Sequence, residues 1–347
     1  MTMNRAGLQR FATAAAVFGV AVAGFWLWWL PRPDERLPSR EPAAAIERST
    51  AALVPLPLVP DLPPDRVALG RALFEDVRLS HDNSLSCSSC HDLTTAGHDR
   101  RRFSVGVDGA LGSVNAPSVF NASLNFAQFW DGRARSLEEQ AAGPVHNPLE
   151  MASNWDEVIG KLQADGHFWR EFRKAYPEGL TAANIVDAIA TFERTLLTAN
   201  APFDRFLRGD LQALDAKALG GYRRFKELGC VSCHQGVNIG GNMFQRFGVM
   251  AEYFGDRDSH RQIVSADLGR FNVTGREEDR YVFKVPSLRN VALTAPYFHD
   301  GSVASLEDAV AIMGRYQLGR QLSKEEIASL TAFLNSLTGK LPVSLQK

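Results

Sequence analysis

The sequence has no excess of charge of either sign, no run of basic residues and only four cysteines. Its 38 lysines and arginines are balanced by 39 acidic residues, so nothing in the chain indicates nucleic acid as a partner. Patterns typical of β-strands are also scarce. At 347 residues the chain is long enough for about two domains. The prevailing helical periods predict a mainly α fold.

All four cysteines lie in two copies of one motif, C-x-x-C-H. This motif is the attachment signature of c-type haem, in which two thiols become thioethers and the histidine binds the iron. A single copy could arise by chance or serve as a redox dithiol. A zinc ribbon would need its cysteine pairs about 15–20 residues apart, whereas the first cysteines of the two copies are 143 apart (230 − 87).

The motifs therefore predict two covalent haem c groups and leave no cysteine for disulfides. The attachment residues are Cys87, Cys90 and His91 in the first copy and Cys230, Cys233 and His234 in the second. His91 and His234 are the predicted proximal iron ligands.

The N-terminal segment predicts export from the cytoplasm. Residues 11–30 carry no charge and are about as long as a membrane-spanning helix. Arg5 and Arg10 precede them, which by the positive-inside rule keeps the N-terminus cytoplasmic. The alternative is a signal peptide cleaved after small residues at 21–23. We expect residues 1–30 to be a transmembrane anchor or a signal and the rest to be periplasmic.

The composition then divides the remaining chain. Residues 31–64 hold nine of the seventeen prolines without a helical period and are predicted to be a linker. We expect haem domains at 65–200 and 201–340 and a short tail at 341–347.

Capping residues predict where several helices begin and end. We expect Asp65 to cap a helix whose apolar residues extend to Val77, and Thr181 to cap another. Ser323 is expected to begin a helix that Gly339 ends.

An internal repeat relates the two predicted domains. Residues 115–138 align without a gap on residues 284–307, and ten of the 24 positions are identical. The chain is therefore predicted to be a tandem duplication of one cytochrome-c-like domain. The repeat offset is 169 and the motif offset is 143, so the second domain has 26 extra residues between motif and repeat (169 − 143).

Differences between the copies make the two predicted haems unequal. In the repeat register, Trp130 corresponds to His299 and Pro144 corresponds to Met313. A downstream methionine commonly supplies the sixth iron ligand, whereas proline has no donor atom for iron. The first haem is therefore predicted to be open. Glu150 follows Pro144 and could move a proton on peroxide bound there.

The ordered motifs resemble the bacterial dihaem cytochrome c peroxidase family, including its MauG branch, which oxidises tryptophans of a partner protein. The resemblance extends from about residue 65 to residue 340. The segments that carry it, besides the two haem motifs, are VNAPSVFN at 114–121, FAQFWDGRA at 126–134, EEQAAGPVHNPLEM at 138–151, KVPSLRNVALTAPYFHDG at 284–301 and AVAIMGRYQLG at 309–319.

The resemblance implies roles for residues that match the family's motifs. Trp130 would be the electron relay between the haems. Glu150 would be the catalytic acid and base, with Gln140 and Pro144 lining the distal pocket. Met313 would be the axial ligand of the electron-transfer haem.

The resemblance also implies a calcium ion between the domains, held by Asn115, Thr294 and Pro296, the last two through backbone carbonyls. The function implied is a periplasmic enzyme that reduces hydrogen peroxide to water. Its electron donor would be a cytochrome c, a cupredoxin or a quinol-linked partner, and the family is commonly dimeric.

Two departures from the family pattern leave alternatives open. Val107 stands where many family members carry a histidine that blocks the first haem until the second is reduced, and His98 is the nearest substitute. Val107 favours the MauG branch, but that branch has tyrosine where this chain has Met313. The alternatives are a MauG-like enzyme that oxidises a partner protein and a dihaem cytochrome that only transfers electrons.

Overall fold

Helices account for nearly all of the regular secondary structure of the described residues, as the sequence predicts. The computed structural model describes residues 52–58, 60–257, 262–342 and 345. The predicted anchor or signal at 1–30 lies outside these residues, as does most of the predicted linker. Among the described helices, none has both the length and the hydropathy needed to cross a membrane. Residues Thr50–Lys347 form one compact unit.

The described residues contain twelve α-helices. They are α1 Pro64–Phe74, α2 Cys87–Cys90, α3 Leu137–His146, α4 Trp155–Gln163, α5 Gly166–Ala175, α6 Ala182–Glu193, α7 Pro202–Leu207, α8 Ala216–Glu227, α9 Tyr253–Asp256, α10 Phe271–Thr274, α11 Leu306–Leu318 and α12 Lys324–Asn335. Strands β1 (Phe244–Arg246) and β2 (Val282–Lys284) pair antiparallel, with Gln245 opposite Phe283.

Two hydrophobic cores follow the division predicted from the sequence. One core is built from buried residues between Leu69 and Leu196, and the other from Leu53 and buried residues between Phe203 and Leu337. Leu341, at the start of the predicted tail, packs against the first core. Each predicted haem domain therefore has its own core. The domain limits themselves stay a prediction.

In each half, a helix that precedes the haem motif crosses a later helix at a glycine. A Cβ atom on Gly70 of α1 would lie 1.9 Å from the carbonyl oxygen of Ala188 in α6. A Cβ atom on Gly221 of α8 would lie 1.9 Å from the carbonyl oxygen of Ser329 in α12. Only glycine allows the backbones to approach so closely. The matching crossings show that the two halves are also similar outside the residues of the sequence repeat.

The sequence repeat itself recurs in the backbone. Asn121 and Asn290 are both in the left-handed conformation, with φ of 61° and 59°. The hydroxyl groups of Ser136 and Ser305 accept hydrogen bonds from the first turns of α3 and α11, so both helices begin at the same repeat position. Pro144 and Met313, which correspond in the sequence repeat, therefore also occupy equivalent positions in the structure.

Equivalent residues of the two repeats also contact one another. The backbone N–H of Asn115 donates to the carbonyl of His299, at 2.8 Å, and that of Lys284 donates to the carbonyl of Trp130, at 2.8 Å. Asn115 corresponds to Lys284 and Trp130 to His299 at the offset of 169. The two repeats therefore contact each other through matching atoms.

The additional residues of the second domain contribute an aromatic cluster. Its five buried members are Phe247, Tyr253, Phe254, Phe283 and Tyr316. Trp130 of the first repeat and Met313 of α11 pack against it.

The predicted helix limits are partly wrong. Helix α1 begins at Pro64 with Pro63 before it, and Asp65 lies within its first turn rather than capping it. Proline suits the first helical position because its φ is already helical and no N–H is needed there. The helix ends at Phe74, so Val77 lies outside it and is exposed.

Other predicted limits are confirmed, with one exception. The Thr181 hydroxyl caps α6 by accepting from the N–H of Asn184. Ser323 and Glu326 form the expected capping box of α12. However, α12 ends at Asn335, four residues before Gly339. The N–H of Ser336 donates to the carbonyls of Ala332 and Phe333, and the helix ends there instead of at Gly339.

The described part of the predicted linker is not a free tether. Leu53 and Leu56 are buried, and Leu53 belongs to the second core. The N–H of Leu56 donates to the Asp204 carboxylate at 3.0 Å. The N–H of Gly236, just after the second haem motif, donates to the carbonyl of Ala52. The burial of these two leucines holds the proline-rich segment against the protein.

Two adjacent glycines of α8 test the helix crossing. Gly221→Ala should lower the free energy of unfolding by at least about 1–3 kcal/mol, because the added methyl group meets the Ser329 carbonyl. Gly220→Ala is the control: a Cβ atom there has no neighbour within 4 Å. It should be neutral or stabilising by about 0.4–1 kcal/mol. Urea denaturation of the haem-loaded protein measures both, and equal midpoints would contradict the crossing.

Candidate active site

The first haem motif lines a cavity in the first domain. Helix α2 carries it, and Ser86 precedes that helix. The other walls come from the loop at 104–106, from α3, from the segment after α3 and from α6. The lining residues are Leu85, Ser86, Cys87, Cys90, His91, Ser104, Val105, Gly106, Gln140, Ala141, Pro144, Leu149, Glu150, Met151, Ile189 and Glu193.

His91 is oriented as an iron ligand would need to be. Its Nδ1 lies 3.1 Å from the carbonyl oxygen of Gly97, so this nitrogen carries the proton and donates it. Nε2 is then the nitrogen with a free lone pair. Burial lowers the pKa of His91, against a smaller opposing effect of the Gly97 carbonyl. The ring is neutral, which is the form that binds metal.

The cysteines do not have the properties of a redox dithiol. None of the four is in a disulfide. Burial raises the pKa of the Cys87 thiol and raises that of Cys230 to about 11. Reactive dithiols need the opposite shift, because the thiolate is the nucleophile. Paired thiols beside a neutral imidazole in an otherwise largely apolar cavity fit thioether attachment of haem.

The second motif has a half-buried histidine, His234, whose Nδ1 atom is buried. In the part of the chain that the structure describes, nothing bonds to Nδ1 of His234. Burial lowers the pKa of His234 to about 4. The backbone carbonyls of Ile239 and Pro286 act in the opposite direction and raise this pKa by a smaller amount. This neutral ring also fits an iron ligand. The residues of both motifs therefore fit the haem groups that the sequence predicts.

Glu150 places a carboxyl group in the first cavity. Burial raises the pKa of this carboxyl. Two groups oppose the shift: the Asn147 amide, whose Nδ2 donates to Oε1 at 2.6 Å, and the positive charge of Arg133. A carboxyl with a raised pKa can both accept and return a proton near neutral pH.

Pro144 and Gln140 lie on the wall formed by α3. Pro144 is in the last turns of this helix and has no N–H to donate to the carbonyl of Gln140. Its counterpart Met313 lies at the same position of α11, against the aromatic cluster. The first domain thus has the proline ring of Pro144 where the second domain has the thioether of Met313.

Comparison with known proteins identifies the family. The family model described as di-haem cytochrome c peroxidase matches residues 64–212. Cytochrome c551 peroxidase of Nitrosomonas europaea is 45% identical over 302 residues, which cover 86% of this chain and 88% of that protein. The chain belongs to the dihaem cytochrome c peroxidase family.

Other members of the dihaem peroxidase family differ in length and branch. Cytochrome c peroxidase Ccp of Escherichia coli (strain K12) is 50% identical over 287 residues; these cover 82% of this chain but 60% of that longer protein. A crystal structure of a MauG-like protein associated with microbial copper homeostasis superposes with a TM-score of 0.72 at 30% identity. That match covers 84% of this chain and 95% of the other.

Val107, which the sequence resemblance places where many dihaem peroxidases carry a blocking histidine, has a buried side chain. Its N–H donates to the carbonyl of Glu150 at 2.9 Å, which ties this loop to the carboxyl-bearing segment. Both ring nitrogens of His98, the nearest substitute, are bonded outside the cavity in this structure. Nδ1 accepts from the N–H of Arg100, and Nε2 lies 3.1 Å from the carbonyl of Leu293.

Trp130 lies where the repeats of this dihaem peroxidase contact each other. Its Nε1 donates to the carbonyl of Asn115 at 2.9 Å. Its ring meets that of His299 edge-on, with centroids 6.4 Å apart. It also packs on the aromatic cluster that Met313 contacts. Among the described residues, Trp130 is therefore in contact with both domains.

The residues that match calcium ligands are close to the same contact. Asn115 is buried, and its Nδ2 donates to the carbonyl of Arg101. The Thr294 hydroxyl donates to the carbonyl of Val291. Pro296 is half-buried.

The sequence reading missed one cavity residue, Glu193. It is at the C-terminal end of α6, one turn after Ile189, and is only 4% exposed. The sequence does contain a signal for it. Ile185, Ile189 and Phe192 form an apolar stripe on α6, and a glutamate directly after such a stripe is unusual. The helix crossings pair Phe192 with Phe333, so Leu334 is the counterpart of Glu193.

The hydrogen bond from Asn147 controls the protonation of Glu150. In Asn147→Ala the pKa of the Glu150 carboxyl should rise further, because the bond favours the ionised form. A hydrogen bond to a charged group is worth about 1.5–3 kcal/mol, so the expected rise is about 1–2 pH units. Infrared titration of the carboxyl stretch, assigned by its loss in Glu150→Gln, measures it. A fall in the pKa would contradict the assignment.

Proposed function

We propose that this protein is a periplasmic peroxidase that reduces hydrogen peroxide to water with electrons from a small redox protein. The observation that carries the proposal is the placement of Glu150 in the same cavity as Cys87, Cys90 and His91. Pro144 offers no ligand atom on the cavity wall. The relatives named cytochrome c peroxidase support the same activity.

The chain's own contribution is to hold peroxide and move its protons. Haem attached at each motif supplies the electron-accepting and electron-donating chemistry. An oxygen of the ionised Glu150 carboxyl accepts a proton from one peroxide oxygen and returns it to the other, which leaves as water. Two electrons and two further protons complete the balance, giving two water molecules. Gln140 lies on the same wall and can orient the peroxide by hydrogen bonding.

Electrons would enter at the second domain and leave at the first. Met313 and His234 are the proposed ligands of the electron-transfer site. Trp130 is the proposed relay because it contacts the cluster beside Met313 and belongs to the first repeat. The donor would be a cytochrome c, a cupredoxin or a quinol-linked partner. Anchoring of residues 1–30 in the inner membrane and homodimer formation belong to the same proposal.

One observation favours a second function, oxidation of a partner protein. Val107 leaves the first cavity without the blocking imidazole, and the MauG-like structure is similar to this chain over 84% of its length. Met313 argues against that function, because the branch implied by the resemblance uses tyrosine there. A cytochrome that only carries electrons would not need a carboxyl with a raised pKa in the cavity.

Replacement of Glu150 tests the proposed activity. Steady-state peroxide reduction, with reduced cytochrome c and reduced cupredoxin as donors, should fall by about 10²–10⁴-fold in Glu150→Gln because the proton acceptor is lost. Glu139→Gln, an exposed carboxyl of the same region, should retain the wild-type rate. Unchanged turnover in Glu150→Gln would refute the acid and base role. Absence of turnover in the wild type would favour the electron carrier.

We also propose that calcium binds between the domains through Asn115, Thr294 and Pro296. The buried Asn115 amide directs Nδ2 to Arg101, which leaves Oδ1 as its ligand atom. The adjoining segments are in contact, since His98 bonds to Leu293 and Asn115 to His299. Oxygen atoms of this kind suit Ca²⁺.

Metal removal tests the calcium proposal. Treatment of the haem-loaded protein with a calcium chelator should lower peroxide turnover, and Ca²⁺ should restore it better than Mg²⁺, which demands stricter octahedral geometry. Asn115→Ala should already be low and insensitive to the chelator. Full activity of protein shown by elemental analysis to be free of calcium would contradict the proposal.

A further inference from the structure

A lysine is buried where the two repeats contact each other. Lys284, the last residue of β2, has only 6% of its surface exposed. Its backbone N–H donates to the carbonyl of Trp130 at 2.8 Å, which fixes its position against the first repeat. In the repeat register its counterpart is the uncharged Asn115. The proposed reaction assigns no role to Lys284.

The ammonium group of Lys284 has no partner among the described residues. Its Nζ forms no hydrogen bond and no ion pair with them, and no carboxylate of the chain raises its pKa. Burial lowers this pKa to about 8, so the charged form still predominates at neutral pH. An uncompensated buried charge is costly, and buried lysines are normally paired. The side chain is therefore placed to meet an anion that the protein chain does not supply.

The acidic side chains around the contact between the repeats are already paired with arginines. In the first repeat, Asp131 lies 3.0 Å from Nη1 of Arg133. In the second domain, Asp267 and Asp300 both pair with Arg257, at 2.7 and 3.2 Å. These carboxylates are therefore not available as partners of the buried lysine.

Strand pairing gives the direction of the lysine side chain. Lys284 lies opposite Phe244 of β1, so the two side chains share one face of the sheet. The Phe244 ring packs edge-on against Phe126, with centroids 4.9 Å apart, and a Cβ atom on Gly132 would lie 2.3 Å from it. Phe126 and Gly132 both belong to the first repeat. This face of the sheet is therefore turned towards the first domain.

The same sheet also adjoins the second haem motif. Two residues after the lysine, the carbonyl of Pro286 lies beside the ring of His234. A Cβ atom on Gly240 would be 2.1 Å from that carbonyl oxygen and 3.3 Å from Nδ1 of the histidine. In β1, Nε2 of Gln245 lies 3.9 Å from Sγ of Cys233. The lysine is thus buried between the second haem motif and the first domain.

We propose that the ammonium group of Lys284 binds a propionate of haem where the two domains meet. The inference rests on the haem groups that the proposed function requires. Attachment through the cysteines leaves the haem propionates as carboxylates, which are the anions that haem brings into the protein. The second haem is the expected source, because β2 leads to the carbonyl beside His234. A fixed ammonium group there favours the reduced form of the haem, which carries one more negative charge.

The vibrations of the propionate groups test this pairing. Resonance Raman spectra of the haem-loaded protein with only the second haem reduced should show its propionate bending mode at lower frequency in Lys284→Met, because a charge-assisted hydrogen bond is lost. Lys284→Arg should keep the mode near its wild-type frequency. The midpoint potential of this haem should fall in Lys284→Met. It should also decrease as pH rises through the neutral range, since the pKa of an unpaired propionate is higher.

Lys217→Met is the matched control, because Lys217 is an exposed lysine of the second domain. It should leave the propionate mode and the potential unchanged. Lys284→Gln, which removes the charge but keeps a hydrogen-bond donor, is the second variant if the methionine variant does not fold, and it should also lower the potential. A mode that shifts only in the first haem would support the pairing and assign it to that haem.

Unchanged propionate modes of both haems in the Lys284 variants, together with unchanged potentials, would overturn the proposal. Peroxide turnover is not read in these measurements, so failure of the proposed peroxidase activity would leave this result standing. Loss of haem from either motif would be visible first in the absorbance spectrum.

Discussion

The close crossing of two helices is the constraint on which both haem domains depend. At Gly70 and at Gly221 the backbone of one helix lies directly against a carbonyl of another, with no space for a side chain. Each crossing fixes the helix that leads into a C-x-x-C-H motif relative to the helix that closes the domain. The cavity of the first motif is bounded on one side by that closing helix, α6, through Ile189 and Glu193.

On this shared frame, function differs by substitution at matching positions. Pro144 and Met313 lie at the same point of equivalent helices, as do Glu193 and Leu334. Proline, without an atom to bind iron, stands where the second half has a thioether, and a buried carboxyl stands where the second half has an apolar side chain. Duplication preserved the fold, while a few substitutions made the two halves chemically unequal.

Most of the site could be predicted from the sequence because its signals are local or repeated. The motif spacing identifies the cysteines and histidines, and ten identities fix the register that relates Pro144 to Met313. Glu193 was missed because α6 and α12 share too few identities to align without the helix crossings. Leu53 and Leu56 were missed because a proline-rich composition does not reveal that two leucines enter a distant core.

One threonine joins the two halves. The hydroxyl of Thr198 accepts hydrogen bonds from the side-chain amides of both Asn121 and Asn290, at 2.9 and 2.8 Å. Asn121 in turn accepts from the N–H of Thr198, and Asn290 from that of Gly339. The first half closes its two bonds within itself, whereas the Asn290 amide of the second half needs the Thr198 oxygen of the first. A gene encoding the second half alone would therefore leave the buried Asn290 amide without this acceptor.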